Sequence, residues 1–474
     1  MKKTIIAIIA ALVPVIGASA QQTFISTYFL EGYNHRHQFN PAFASKTSYF
    51  AVPVLSSFNL ETQSNLGIST FLYPIDGRLT TFMDSAIPAE EFLGKLSSEN
   101  ILNVDNQISM MSFGIRRDKS FFSFDVNAIT SVSLNLPYSL FDFMKHSETS
   151  QNYEISNITA RMNGRLEFAF GYSRSVTKRL NIGARVKFLV GVANVEVDAE
   201  RTEILTNEDK WSVHSYATLK SSSFMDIRTK GETGAEIEKP SDRDMLDFGD
   251  VKTNGGKLVN GFGAAVDLGA EMEVAKGLKL SLSINDLGYL GWRNTTVART
   301  SGEEWSYDGF KDISFDASKD NWNDQLDDLI EETLDMFDFR RTEKDGAYGG
   351  MIAATVNAGV EYTMPFYNAL SAGLLSSTHI NGKYSWTQTR LFANLRPAKW
   401  FSCGLNFAMA RFGWGVGAAI GFHAPGFNLF IGSDRLPLQK IKVYDEILYP
   451  YGKLNTSVNF GISFNLGGRS KESV

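Results

Sequence analysis

The sequence predicts an all-β chain that closes into a transmembrane antiparallel β-barrel of about fourteen strands with long extracellular loops. Three observations predict it: an export signal with no later helix-length apolar span, long runs of strict apolar–polar alternation, and a sorting of short and long connections by strand parity.

The export signal comes first in the chain. Lys2 and Lys3 precede an apolar run from Ile5 to Ile16, and Ala18-Ser19-Ala20 supplies small residues where a signal peptidase cuts. Residues 1–20 therefore read as a signal peptide, with a mature chain from Gln21. The apolar run is shorter than the roughly 20 residues a spanning helix needs, and no Cys follows the cut to carry a lipoprotein anchor. Downstream, no uninterrupted apolar stretch reaches spanning length, yet 43% of residues are hydrophobic and Phe alone numbers 35. An exported, aromatic-rich chain of this kind is either a soluble periplasmic domain or an outer-membrane barrel. The single Cys403 excludes an intrachain disulfide framework. A net charge of −6 without a basic stripe gives no reason to expect nucleic acid as a partner.

Alternation separates the two destinations, because successive strand side chains point to opposite faces. Leu180, Ile182, Ala184, Val186, Phe188, Val190 and Val192 keep period two, with Asn181, Gly183, Arg185, Lys187 and Gly191 between them. Phe262 to Val274 and Val458 to Leu466 repeat the pattern. Such runs exceed the roughly 5–6 residues of a sandwich strand and approach the ~9–11 of a tilted membrane strand. Their apolar face would meet lipid and their polar face the lumen.

Strands are expected near 48–73, 106–116, 120–135, 152–174, 179–198, 261–275, 278–292, 352–364, 369–380, 384–396, 400–411, 413–424, 426–434 and 454–466. Pro53 and an irregular middle make the first divisible. Connections after even-numbered strands are short, whereas 74–105, 136–151, 199–260, 293–351 and 435–453 all follow odd-numbered strands. Short periplasmic turns and long extracellular loops produce this sorting, which puts both termini in the periplasm of a Gram-negative cell. The barrel then spans 48–466, followed by a C-terminal tail, 467–474. At Lys276-Gly277 a tight turn would set Glu273 opposite Lys279. Trp292, Trp386, Trp400, Trp414, Tyr172, Tyr362 and Phe366 fall near strand ends, as interfacial girdles do. Residues 21–47 lack alternation but carry Phe24, Tyr28, Phe29, Tyr33 and Phe39, so they are expected to pack into the lumen as a plug.

The segment before the first strand contains Gln38-Phe39-Asn40-Pro41-Ala42-Phe43-Ala44, and later strands carry Gly171-Tyr172-Ser173-Arg174 and Ser283-Ile284-Asn285-Asp286-Leu287-Gly288. On these residues the chain resembles an uncharacterised outer-membrane barrel family of Bacteroidota, a domain of unknown function. It is also similar to FadL-type transporters and to PorV- and PorP-type proteins. The resemblance implies a FadL-like barrel with Asn40, Pro41 and Ala42 leading into the first strand.

The inward face gathers Arg161, Arg165, Glu167, Arg185, Lys187, Asp267, Glu271, Glu273 and Lys279. These residues suit either a selectivity path or a ladder of cross-strand ion pairs that holds the lumen. Opposite charges on neighbouring strands favour the ladder. Loop 293–351 is acidic, with Trp322, Leu326, Leu329 and Ile330 at helical spacing. It lacks the ligand spacing of a calcium hand, and a solvated helix capping the barrel is the simpler expectation. His35 and His37 flank Arg36 without further metal ligands. No nucleophile elbow closes around Ser173, so neither an enzyme nor a cofactor is expected. Three functions remain: passive transport or binding of a small hydrophobic or amphipathic molecule, a part or docking partner of a type IX protein-export machine, and a structural or surface-interaction barrel. The partners implied are outer-membrane lipid, a small hydrophobic ligand, or secretion-system proteins.

Overall fold

The computed structural model describes residues 24–466 except 52–55, 76–77, 83, 85, 147–150, 207–210, 238, 254–257, 301, 303–304, 308–336, 383–384, 411–412, 425, 437–439, 445–446, 452 and 454. The expected signal peptide, most of the acidic loop and the C-terminal tail lie outside the described residues.

Fourteen antiparallel strands form one closed barrel. β1 runs in two segments, Ser48–Ala51 and Ser57–Ser64, and is followed by β2 (Glu99–Arg117), β3 (Ser120–Pro137), β4 (Asn152–Ser175) and β5 (Leu180–Thr206). Next come β6 (Gly261–Ala275), β7 (Leu278–Thr300), β8 (Ala354–Thr363), β9 (Leu370–Ile380) and β10 (Trp386–Ala398). β11 (Phe401–Ala410), β12 (Gly413–Ala424), β13 (Phe427–Ser433) and β14 (Thr456–Leu466) complete the wall. Closure is direct: Ser48 of β1 faces Leu466 of β14, and Ser57 faces Gly461. A closed ring leaves no strand edge unpaired, which is what lets a sheet sit in hydrocarbon.

The two faces separate as alternation requires. On β5, Val186 and Phe188 are exposed while Arg185, Lys187 and Leu189 are buried. Phe170, Leu282, Leu391, Leu405 and Val458 continue the exposed apolar surface around the ring. Trp400, Trp414 and Phe366 stand exposed at strand ends. At the β6–β7 turn Gly277 takes φ +75°, the left-handed conformation a side chain resists, and Glu273 pairs in register with Lys279.

The long-loop end is more structured than alternation suggests. β4 and β5 extend to 24 and 27 residues, and the expected loop 199–260 contains a strand, Trp211–Ser222, paired with the outer end of β5. The reason is a bulge. Arg165 faces Gly191 but Gly164 faces Ala193, so one extra residue enters β5 and its outward set moves from Val190 to Val195 and Val197. A second shift between Ala199 and Arg201 breaks the period again. Beyond these bulges the sheet face turned away from the lumen is covered by loop residues. Ala199, Leu219 and Ala298 pack there with Phe143 of a helix, α1 (Tyr138–His146), and with Ile227, Leu246 and Phe248. Arg341 ties this layer down by donating to both Glu232 oxygens at 2.9 and 2.8 Å, which pulls the Glu232 carboxyl down to about 2.

Candidate functional site: a plugged lumen beneath an amphipathic cavity

Residues 24–47 lie inside the barrel, built around two short 3-10 helices, Ile25–Thr27 and Asn34–Gln38. Phe24, Tyr28, Phe29, Tyr33, Phe39 and Phe43 are all buried and share one cluster with wall residues Phe392 of β10 and Phe430 of β13. Burial of such side chains contributes about 1.5–3 kcal/mol each, so the segment has a strong reason to stay. Its polar groups are met by the wall. The Ile25 and Ser26 amides donate to the Asp434 carboxylate at 3.0 and 2.6 Å. Ser283 and Asn285 of β7 donate to the Phe39 carbonyl at 2.9 and 2.7 Å. Lys279 reaches Glu31 at 2.9 Å.

The Asn40-Pro41-Ala42 motif has a local explanation here. The Asn40 side-chain oxygen accepts from the Ala42 amide at 2.9 Å, while its nitrogen donates to the Ala270 and Leu282 carbonyls at 3.2 Å. The turn lies against β5 and β6 at Gly183 and Gly269, where a Cβ would come within 2.3 Å of the Pro41 carbonyl oxygen and 2.0 Å of Asn40 Oδ1. Side chains at either glycine would push the motif off the wall.

Next to the plug runs a chain of buried charges. His37 Nε2 lies 2.9 Å from Asp125, which also accepts from Ser112 at 2.7 Å and from Arg185 at 2.8 Å. Arg185 donates its other nitrogen to Asp267, the residue facing it in register, at 2.9 Å. Lys187 bridges Asp267 (3.1 Å), Glu167 (3.7 Å) and Asp286, and Glu167 receives Arg165 at 3.0 Å. Asp125 and Arg185 sit on strands separated by β4. Gly171 of β4 faces Arg185 on one side and Ser123, two residues from Asp125, on the other; with no side chain it lets Arg185 lie across β4, where a Cβ would stand 3.0 Å from Arg185 Cγ.

The structure thus joins Arg165, Glu167, Arg185, Lys187 and Asp267 into one network. The other inward charges lie apart from it. Glu271 accepts from Asn181 at 3.0 Å, and Glu273 accepts from the Gly277 amide at 3.2 Å. Lys279 opposes Glu273 in register, but its ammonium is bound by Glu31 of the plug. Sequence reasoning did not single out Asp125 or Asp434, and it weighed His37 only as a metal ligand. Asp125 was within reach of alternation, since it follows Phe121 and Ser123 on the buried face of β3. Asp434 was as well, since it closes the expected strand 426–434 on the face of buried Asn428 and Phe430, one residue past the observed end of β13. Beside it, Arg435 and Glu61 form a second buried pair at 3.0 Å, and Arg390 donates to Asn406 at 2.9 Å. His35 is buried with its ring beside Tyr33 and Tyr49.

In the long-loop half of the lumen lies a cavity of about 580 Å³. One wall is polar, with Asn103, Ser133, Thr159 and Asn163 joined by Arg161 and Glu196; the other presents Leu290, Trp292 and Ile352, with Tyr348 and Trp386. Arg165 belongs both to this lining and, through Glu167, to the charge network.

A family model matches residues 41–434, most of the chain. The chain belongs to DUF5723, a family of unknown function. Among curated proteins nothing matches it. Among solved structures, this DUF5723 barrel is similar to the P. putida toluene transporter TodX, at 12% identity over 90% of this chain and 93% of that one, with a TM-score of 0.39. The Ralstonia pickettii toluene transporter TbuX aligns at 9% identity over 91% and 94%, TM-score 0.41. A Pseudomonas aeruginosa FadL homologue aligns at 9% identity over 94% and 98%, TM-score 0.35.

Proposed function

We propose that the chain is an outer-membrane barrel that binds a small amphipathic molecule in its upper lumen and passes it inward when the N-terminal segment yields. The observation that carries this reading is the cavity, whose apolar, aromatic wall faces a wall of hydroxyls, amides and charges. Such a site rewards a ligand with one greasy and one polar side. The purely greasy ligands of a hydrophobic tunnel would leave the polar wall unpaired, at a cost of about 1–3 kcal/mol per desolvated group.

The test is purification from native membranes followed by mass spectrometry of the co-purified small molecules. Wild type should carry an amphipathic molecule that is absent from Ser133→Trp, which fills the cavity from the polar wall. Identical small-molecule content in the two proteins would sink the reading. A second reading, a docking or structural barrel such as a component of a type IX export machine, draws support from one observation: the short-turn half of the lumen is filled by residues 24–47 and buried ion pairs. In that case the same purification yields a stoichiometric protein partner and no ligand.

The proposed orientation puts the short turns and both termini in the periplasm and the long loops outside. Cysteine at the exposed loop residue Glu236 should then react with an impermeant maleimide on intact cells. Cysteine at exposed Lys178, in a short turn, should react only after the outer membrane is broken. The opposite labelling reverses the orientation.

A further inference from the structure

The short turns are unevenly charged. Three neighbouring ones, β2–β3, β4–β5 and β6–β7, carry Arg117, Lys119, Arg174, Lys178, Arg179 and Lys276, all exposed. None of these six cations is ion-paired to a carboxylate among the described residues. The two acids on these turns, Asp118, exposed at φ +50°, and Glu273, which accepts the Gly277 amide, offset only part of this charge. The β8–β9 turn, residues 364–369, has no Lys or Arg at all. The β10–β11 turn adds Arg396, which lies 3.9 Å from Glu31, and Lys399, so the unpaired basic charge is concentrated on one side of the rim rather than spread evenly around it.

Directly above it, on the lipid-facing side of β3 and β4, Phe122, Phe170 and Tyr172 are 48, 61 and 42% exposed. Phe122 and Tyr172 lie 5.1 Å apart, Phe124 and Phe170 4.7 Å. Aromatic rings of this kind sit at the level of lipid headgroups, so the cations just beyond them stand at phosphate depth. A protein partner in the aqueous phase would be offered charge projecting further from the aromatic band. We infer that this rim is a binding site for anionic phospholipid of the leaflet it meets: headgroup phosphates on the turn cations, acyl chains on the aromatic face. The leaflet rests on the orientation proposed above, but the site itself does not.

The test uses the full-length barrel in nanodiscs of phosphatidylcholine containing a minor share of phosphatidylglycerol, equal in both leaflets, so the result is independent of orientation. Lipid retained on the released protein is read by native mass spectrometry. Wild type should retain phosphatidylglycerol several-fold above its share, and raised salt should reduce the enrichment. The triple variant Arg117→Gln, Lys178→Gln, Arg179→Gln should lose up to about fivefold in retention per cation removed. The charge-preserving variant Arg117→Lys, Arg179→Lys should keep it. Heat-modifiable migration checks that each barrel is folded. Equal retention of both lipids by wild type, or undiminished enrichment in the triple variant, overturns the proposal. Reversed cysteine labelling with intact enrichment would change only the leaflet.

Discussion

Removing residues 24–38 from the chain should turn a closed barrel into a conducting one, read as the appearance of open-channel current steps in planar bilayers where wild type is nearly silent. The segment fills the short-turn half of the lumen with Phe24, Tyr28, Phe29, Tyr33 and Phe39, and nothing in the strand ladder depends on it. Wall–wall pairing closes the ring through β1 and β14 without any plug residue. Keeping Asn40-Pro41-Ala42 preserves the lead into β1. A milder version loosens the anchors instead: Asp434→Ala removes the acceptor of the Ile25 and Ser26 amides, and with His37→Ala it should give intermittent rather than permanent opening. Silent bilayers for both variants, with folded barrels, would mean that the long loops close the lumen and that the segment is no gate.

The second large effect is expected at Arg185. Among the described wall residues its guanidinium is the one cation paired with Asp125, and it shares Asp267 with Lys187. Arg185→Ala leaves the Asp125 carboxylate in a buried site with His37, Gln38 and Ser112 alone. Breaking a buried ion pair from one side costs about 3–5 kcal/mol, so the urea midpoint for unfolding in liposomes should fall markedly. Replacing both sides, as in Arg185→Met with Asp125→Asn and Asp267→Asn, should recover most of that loss, because no uncompensated charge remains. The triple variant being no better than Arg185→Ala would show that Arg185 acts through packing over Gly171 rather than through charge.

Each element of the wall was legible for a physical reason. On β5 and β6 the residues alternate because one face meets hydrocarbon and the other meets the lumen, so period two also sorts Arg185, Lys187 and Asp267 inward. The break at Gly191–Ala193 was not legible, since a bulge shifts parity without leaving a turn signal. The strands of loop 199–260 were hidden for the same reason: loop residues such as Phe248 cover their outer face, and the lipid-driven contrast disappears.

By itself, then, the chain's pattern determined the strand number, the facing of the side chains up to the bulges and the order of short and long connections, all of them consequences of local alternation and turn chemistry. Tertiary structure decided which inward groups meet. Arg185 reaches Asp125 across β4 because the two registers leave it opposite the bare Gly171, two residues from the Ala169 that faces Asp125. Lys279 opposes Glu273 in register but binds Glu31, because a plug segment from the far end of the chain supplies the closer carboxylate. Register is a property of neighbouring strands and can be read along the chain; partners across a lumen depend on how the ring closes and on what fills it.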